Sequence, residues 1–173
     1  MRAAATLAAL AAALLAGCSG YGAFEPATSP DDTGPTVNVA DQAQRVSGQR
    51  LHIFEIVQVD GRRLSSTSMA TLRGKQDGGF AAVPVALTNE LPLRPVRLRL
   101  QAATQYASPV LALQSPTCQV QGEVDFRPAA GQAYRVAGRI TADMCEAWVE
   151  DLATQQPVTA RVSGRGTGEG TRP

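Results

Sequence analysis

The sequence predicts an all-β protein built as a single antiparallel β-sandwich. Three strand candidates follow one another after residue 117 at intervals of roughly 13 residues, with turn residues between them. A strand candidate with apolar residues on both faces and another with strict alternation precede them. Apolar residues make up 44% of the 173 residues, which is enough for the core of one globular domain.

The most apolar strand candidate covers residues 51–59 and ends at the turn Asp60-Gly61. We expect both of its faces to be buried, as in the central strand of a sheet. Alternation places its apolar side chains on two faces: Leu51, Ile53, Val57 and Val59 on one, and Phe54 and Ile56 on the other.

The clearest half-buried strand candidate covers residues 95–101. Its apolar side chains alternate with Arg97, Arg99 and Gln101, so that one face meets the core and the other meets solvent. A solvated face is the plain interpretation of these arginines, and a binding stripe is the alternative.

The remaining candidates differ in clarity. Residues 62–75 fit either a strand or a short helix, and residues 106–113 are an apolar stretch interrupted by Pro109. Pro84 predicts that a strand over 80–88 lies at an edge or a bulge. The other predicted strands cover residues 118–126, 133–140, 145–152 and 158–162.

Residues 1–17 have the pattern of a leader. Arg2 is followed by an apolar run of about 13 residues, which is too short to cross a bilayer as a helix. The run ends at Leu15-Ala16-Gly17-Cys18, which resembles the bacterial lipobox. We therefore expect Cys18 to become the first mature residue and to carry a diacylglycerol; the alternative is an ordinary secretory signal with an incidental cysteine.

This leader sets the expected organisation and location. In the enterobacterial sorting pattern, an Asp directly after the lipidated cysteine marks an inner-membrane protein. Ser19 occupies that position here, which resembles the pattern of an outer-membrane protein that faces the periplasm; exposure at the cell surface is the alternative. The predicted segments are a signal peptide (1–17), a lipidated Cys18 with a flexible tether (18–49), a β-sandwich domain (50–162) and a disordered Gly-rich tail (163–173). Thr36-Val37-Asn38-Val39 is the one part of the tether that also fits an ordered strand.

Cys118 and Cys145 are expected to form a disulfide, because the envelope outside the inner membrane is oxidising. Strands that flank a third strand in one sheet are about 9.5 Å apart, beyond the roughly 7 Å that a disulfide bridges. Either the middle strand stops short or the two cysteines belong to facing sheets. Two unpaired thiols are the alternative.

Few residues are candidates for chemistry or ligand binding. Lys and Arg total 16 against 15 for Asp and Glu, so there is no basic excess that would predict nucleic-acid binding. His52, the single histidine, is interpreted as a strand residue, and the spacing predicts no metal or cofactor site. Trp148, with Tyr134 in the preceding strand, fits either a sugar-stacking pair or a cross-strand core pair.

Two pairs of acids share strand faces, Glu123 with Asp125 and Glu146 with Glu150. Paired carboxylates can hydrolyse glycosidic bonds, whereas charges on a solvated strand face are far commoner.

Turn and strand residues recur through residues 50–160 in a recognisable order: Val59-Asp60-Gly61, then Phe126-Arg127-Pro128 with Gly131, Tyr134 and Val136, and then Ala147-Trp148-Val149-Glu150-Asp151 with Thr154 and Val158. In these residues the chain resembles the small β domain of many uncharacterised Gram-negative lipoproteins. The chain departs from the pattern at Gln155, where Gly is usual. The resemblance implies a transthyretin-like or Ig-like sandwich and no activity.

The expected function is that of a non-enzymatic, membrane-anchored envelope protein that binds another envelope component or contributes to envelope assembly. Its partners would be the membrane, through the lipid on Cys18, and an envelope protein or glycan. One alternative is a glycan- or peptidoglycan-binding module that uses Trp148 and Tyr134. The other is a hydrolase that uses the paired carboxylates.

Overall fold

The computed structural model describes residues 24–74 and 83–166. Within these ranges the protein is mostly β, as predicted, and its strands form two five-stranded sheets. No helix in the described part is long and apolar enough to span a membrane. The predicted leader, Cys18 and the predicted tail from residue 167 onward lie outside the described residues. The strands are β1 (Thr36–Ala40), β2 (Gln42–Ser47), β3 (Arg50–Val59), β4 (Arg62–Arg63), β5 (Thr88–Pro92), β6 (Val96–Tyr106), β7 (Gln119–Phe126), β8 (Tyr134–Ile140), β9 (Met144–Asp151) and β10 (Val162–Arg165).

Sheet one has the strand order β10-β9-β8-β1-β5, and sheet two has the order β2-β3-β6-β7 with β4 paired to β3. Most pairs are antiparallel, but β1 runs parallel to β8, with Val39 opposite Tyr134. The prediction of a purely antiparallel arrangement is therefore wrong at this pair. The parallel pairing joins strands that are far apart in the chain, and parallel neighbours require such a long connection.

One hydrophobic core receives side chains from both sheets. Sheet one contributes Val39, Leu91, Val136 and Val149, and sheet two contributes Phe54, Ile56, Leu98, Leu100 and Phe126. All are buried because removing their apolar surface from water is the main driving force of folding.

Strand β3 is buried on both faces, as expected for a central strand. Leu51 and Ile53 pack on the face opposite to Phe54 and form a separate small cluster. The predicted face of Val59 is wrong, because the pairing of β3 with β6 shifts by one residue between Ile56 and Gln58. This bulge turns Val59 into the main core.

The predicted tether is ordered over its second half. Strands β1 and β2 fall inside residues 18–49, and β1 lies between β8 and β5 within sheet one. Asp41 is the single residue between the two strands, so the chain passes there from sheet one to sheet two. The folded part therefore begins before Arg50, because β1 completes the core with Val37 and Val39.

The segment that follows β3 contains both structures that the sequence allowed there, a strand and a short helix. Residues 62–75 include the two-residue strand β4 and the helix α1 (Thr67–Arg73). The Ser66 side chain caps α1 by accepting a hydrogen bond from the Met69 amide at 3.2 Å. The strand predicted over 80–88 begins only at Thr88; residues 83–87 are not strand, and residues 75–82 lie outside the described ranges.

Two further stretches differ from prediction. The apolar stretch at 106–113 forms the helix α2 (Pro109–Gln114), because Ser108 caps it and Pro109 occupies its first turn. The last strand lies at Val162–Arg165 rather than 158–162, so residues 163–165 are strand and not part of a disordered tail. Gln155 adopts a φ of 57°, the left-handed conformation for which the resembled pattern places Gly.

The disulfide between Cys118 and Cys145 is present, with a Cα–Cα distance of 6.0 Å. Cys118 immediately precedes β7 of sheet two, and Cys145 lies in β9 of sheet one. Of the two arrangements that the sequence allowed, the structure has the one in which the cysteines belong to different sheets. Gly122 lies so close to Val162 that a Cβ there would be 2.7 Å from a valine methyl, so β7 and β10 pack closely beside the disulfide.

Candidate functional site

The acids Glu123 and Asp125 lie on the solvent face of sheet two. The register places Arg97 opposite Asp125 and Arg99 opposite Glu123. Arg99 Nη2 lies 2.7 Å from Glu123 Oε1, and Arg97 Nε lies 3.4 Å from Asp125 Oδ1. These side chains therefore form exposed cross-strand ion pairs, each of which stabilises a fold by at most about 1 kcal/mol.

The second pair of acids lies on the outer face of sheet one, in a layered cluster that we call the arginine face. Strands β8, β9 and the end of the loop before β10 supply its residues. They are the arginines Arg135, Arg139 and Arg161, the acids Glu146 and Glu150, and Trp148. The register of β8 with β9 sets Arg135 opposite Glu150 and Arg139 opposite Glu146.

The two glutamates form the lower layer of the arginine face. The Glu150 and Glu146 side chains are only 8% and 10% exposed. Glu150 accepts hydrogen bonds from Arg135 at 2.6 Å and from the Trp148 indole N–H at 3.1 Å. Glu146 accepts from Arg139 Nη2 at 3.1 Å. Because both carboxylates are occupied by arginine, they hold the guanidinium groups in position.

The guanidinium groups form the upper, solvent-facing layer. The exposed side-chain fractions are 59% for Arg139, 47% for Arg161 and 34% for Arg135. The Arg161 guanidinium carbon lies 4.4 Å from the centre of the Trp148 ring, a stacked cation–π geometry. The arginine face can therefore donate several hydrogen bonds to a carboxylate or phosphate and offers a planar surface for stacking.

Tyr134 does not belong to this face. It points into the core, where it is 2% exposed and its ring meets Phe126 edge to face at 5.0 Å. Its hydroxyl donates to Gln132 and accepts from the Ala129 amide. Trp148 is half-buried on the opposite face of sheet one, so the structure does not bring the two rings together.

Two buried acids outside the arginine face hold α1 against the sheets. Asp41 Oδ2 accepts a hydrogen bond from the Thr67 hydroxyl at 2.8 Å, and Glu55 Oε2 accepts from the Ser68 amide at 2.8 Å. Burial raises the pKa of Asp41 to about 7, and burial also raises the pKa of Glu55. Both acids contact the first turn of α1, where a negative charge is attracted to the partial positive charge at the N-terminus of the helix.

His52 lies in β3 and lines a cavity at one end of the two sheets, together with Arg50. Burial, and secondarily the charge of Arg50, lower the pKa of the His52 imidazole below its ordinary value. The ring is therefore neutral at pH 7.

Sequence reasoning named Trp148, Glu146 and Glu150 but missed the arginines above them. Arg135 and Arg139 are four residues apart in one strand, so alternation alone places them on the same face as each other. Arg161 had no such signal, because it precedes a strand whose position was predicted wrongly.

The arginine face thus joins residues of three chain segments without a recognisable short motif. No group of three or more His, Cys, Asp or Glu residues suited to a metal ion occurs in the described ranges. The chain was compared with family models, curated proteins and solved structures, and no match was found in any of the three.

Proposed function

We propose that the chain is a lipid-anchored envelope protein that binds another envelope protein without catalysing a reaction. The diacylglycerol on Cys18 would hold it to the outer membrane, facing the periplasm. The two sheets would form a β-sandwich of the transthyretin-like or Ig-like kind, and one shared core with a disulfide between the sheets supports that classification. The leader pattern ending at Cys18 supports the anchor.

The observation that carries the binding function is the stack of Arg161 on Trp148 within the arginine face. Trp and Arg dominate the binding energy of protein interfaces. Here the Trp148 ring and the guanidinium groups are held in place from below by Glu146 and Glu150, so little side-chain freedom would be lost on binding. An envelope protein with exposed carboxylates is the complementary partner.

The same carboxylates support binding over hydrolysis. A glycosidase needs one free acid and one free base on either side of the scissile bond. Glu146 and Glu150 are instead largely buried and each contacts an arginine, and Glu123 and Asp125 are also paired with arginines.

Binding to a glycan is the second candidate, and the half-buried Trp148 ring favours it. Aromatic rings stack on the apolar faces of sugars. In this candidate function the sugar stacks on Trp148 alone, because Tyr134 lies in the core. The sugar would have to displace Arg161, which occupies one face of the Trp148 ring.

The experiment compares two matched variants in the cells that make the protein. Arg161→Gln removes the stacked cation, and Arg97→Gln removes a more exposed arginine from sheet two. The tagged full-length protein is cross-linked in intact cells and its covalent partners are identified by mass spectrometry. We expect a partner that is captured by the parent protein and by Arg97→Gln and is lost with Arg161→Gln.

Two results would contradict the proposal. A partner captured equally by both variants would place the interface elsewhere. Binding to purified peptidoglycan that is lost in Trp148→Leu and kept in Arg161→Gln would favour the glycan candidate instead.

A further inference from the structure

A cavity of about 290 Å³ lies at one end of the two sheets, beside the disulfide. Its size is near the lower limit of about 300 Å³ for small-molecule sites. The start of β3, β6, the segment before β7 and the end of β8 form its walls. Its lining includes Arg50, His52, Thr104, Pro116, Ile140 and Ala142.

Arg50 is the charged group of this cavity. Its Nε atom is buried and has no hydrogen-bond partner among the described residues, and no ion pair of the described ranges includes it. A buried donor without an acceptor costs about 1–3 kcal/mol. The Nε atom itself is closed to solvent, so a ligand in the cavity would contact Arg50 only through its terminal Nη groups.

Neighbouring groups complement a negative ligand. Thr104 Oγ1 accepts a hydrogen bond from the Cys118 amide at 3.3 Å, which leaves the hydroxyl proton to be donated. His52 is neutral at pH 7 because burial lowers its pKa. None of the lining residues is an acid, so the Arg50 guanidinium gives the cavity a net positive charge.

The rest of the lining is apolar or small. Pro116, Ile140 and Ala142 offer a surface for a short hydrocarbon group. The cavity therefore combines one cation, one free hydroxyl donor and an apolar wall.

We propose that this cavity binds a small carboxylate with a short apolar body. The carboxylate receives hydrogen bonds from Arg50 and Thr104, a geometry for which the planar guanidinium is suited. The apolar body lies against Pro116 and Ile140. This site is separate from the arginine face and does not depend on the function proposed for it.

His52 provides a direct reporter, because it is the only histidine in the chain. Full-length protein with ¹³C-labelled histidine, held in non-ionic detergent at constant ionic strength, is titrated with acetate, butyrate and inorganic phosphate. We expect a saturable change of the His52 signal with butyrate and a rise of the His52 pKa in the bound state. Butyrate should bind about tenfold more tightly than acetate, because it buries two more methylene groups.

Variants separate the site from general ion effects. Arg50→Gln should weaken butyrate binding at least about tenfold, which is the loss of one charge-assisted hydrogen bond. Thr104→Val should weaken it less, and Arg73→Gln, an exposed arginine that does not line the cavity, should leave it unchanged.

Three results would overturn the proposal. The first is that the parent protein shows no saturable response to butyrate. The second is that a normally folded Arg50→Gln variant binds butyrate as tightly as the parent protein does. The third is that the parent protein binds phosphate more tightly than butyrate. If Arg50→Gln does not fold, the parent protein and Thr104→Val still decide the outcome.

Discussion

Replacing Asp41 by asparagine is predicted to reduce the pH dependence of folding stability between pH 4 and 7. Asp41 lies where the chain passes between the sheets, and it is 4% exposed. Its Oδ1 atom accepts hydrogen bonds from the Ile56 amide at 3.0 Å and the Asn89 amide group at 3.2 Å. Its Oδ2 atom accepts from the Thr67 hydroxyl. Asparagine has nearly the same shape and keeps an acceptor at Oδ1.

The magnitude follows from the pKa of Asp41, which burial raises from 3.8 to about 7. Between these values the folded protein retains a proton that the unfolded chain has lost. The free energy of unfolding therefore falls by about 1.4 kcal/mol for each pH unit. The contribution is fully present below pH 3.8 and is lost as the pH rises to about 7, a total of about 4 kcal/mol.

The assay is urea unfolding at a series of pH values, followed by the fluorescence of Trp148, the only tryptophan. Glu55 also has a raised pKa and adds a contribution of the same sign in both proteins. Its repulsion with Asp41 is lost in Asp41→Asn and is therefore part of the measured difference. Between pH 5 and 7 the parent protein should lose about 2 kcal/mol more than Asp41→Asn, because Asp41 is half ionised in the folded protein at a pH near its pKa. Parallel pH curves for the two proteins would refute this reasoning.

Two further changes have defined consequences for stability in the same assay. Gly138→Ala should lower the free energy of unfolding by about 3 kcal/mol, because a Cβ there would lie 2.1 Å from the Phe54 ring. The control Gly48→Ala should change it little, because Gly48 has open space around it, and equal effects of the two variants would contradict the packing. Replacing Cys118 and Cys145 together by alanine should cost about 3.5 kcal/mol, since the disulfide closes a loop with a separation of 27 residues. An unchanged unfolding midpoint after reduction of the parent protein would contradict that value.

Local pattern was sufficient for the long strands. The alternation over residues 95–101 predicted the first half of Val96–Tyr106, and the turn residues around Tyr134–Ile140 and Met144–Asp151 predicted those two strands. The disulfide was also predictable, because two cysteines remain once Cys18 is set aside as the predicted lipidation site.

Elements that depend on distant partners were harder to predict. Strand β1 has five residues in a stretch rich in Gly and Pro, and its pairing with β5 and β8 stabilises it. The buried Asp41 is acceptable only because Ile56, Thr67 and Asn89 donate to it, and these residues come from three other chain segments. The pattern around Asp41 contains no sign of these donors.

The two candidate sites show the same limit. The face of Glu146, Trp148 and Glu150 follows from alternation, but the stacking of Arg161 depends on the course of the loop before β10. The end cavity brings Arg50 and Thr104 of one sheet near Ile140 of the other, and no local pattern connects residues so far apart in the chain.

The central claim is that a lipid anchor at Cys18 holds a binding domain to the membrane. The most direct test is the intact mass and N-terminal peptide of the full-length protein purified from membranes, with Cys18→Ser as the comparison. The account predicts that the mature chain begins at Cys18 and carries a diacylglycerol, and that Cys18→Ser keeps residues 1–17 and no lipid. A mature chain without lipid, or normal maturation of Cys18→Ser, would contradict it.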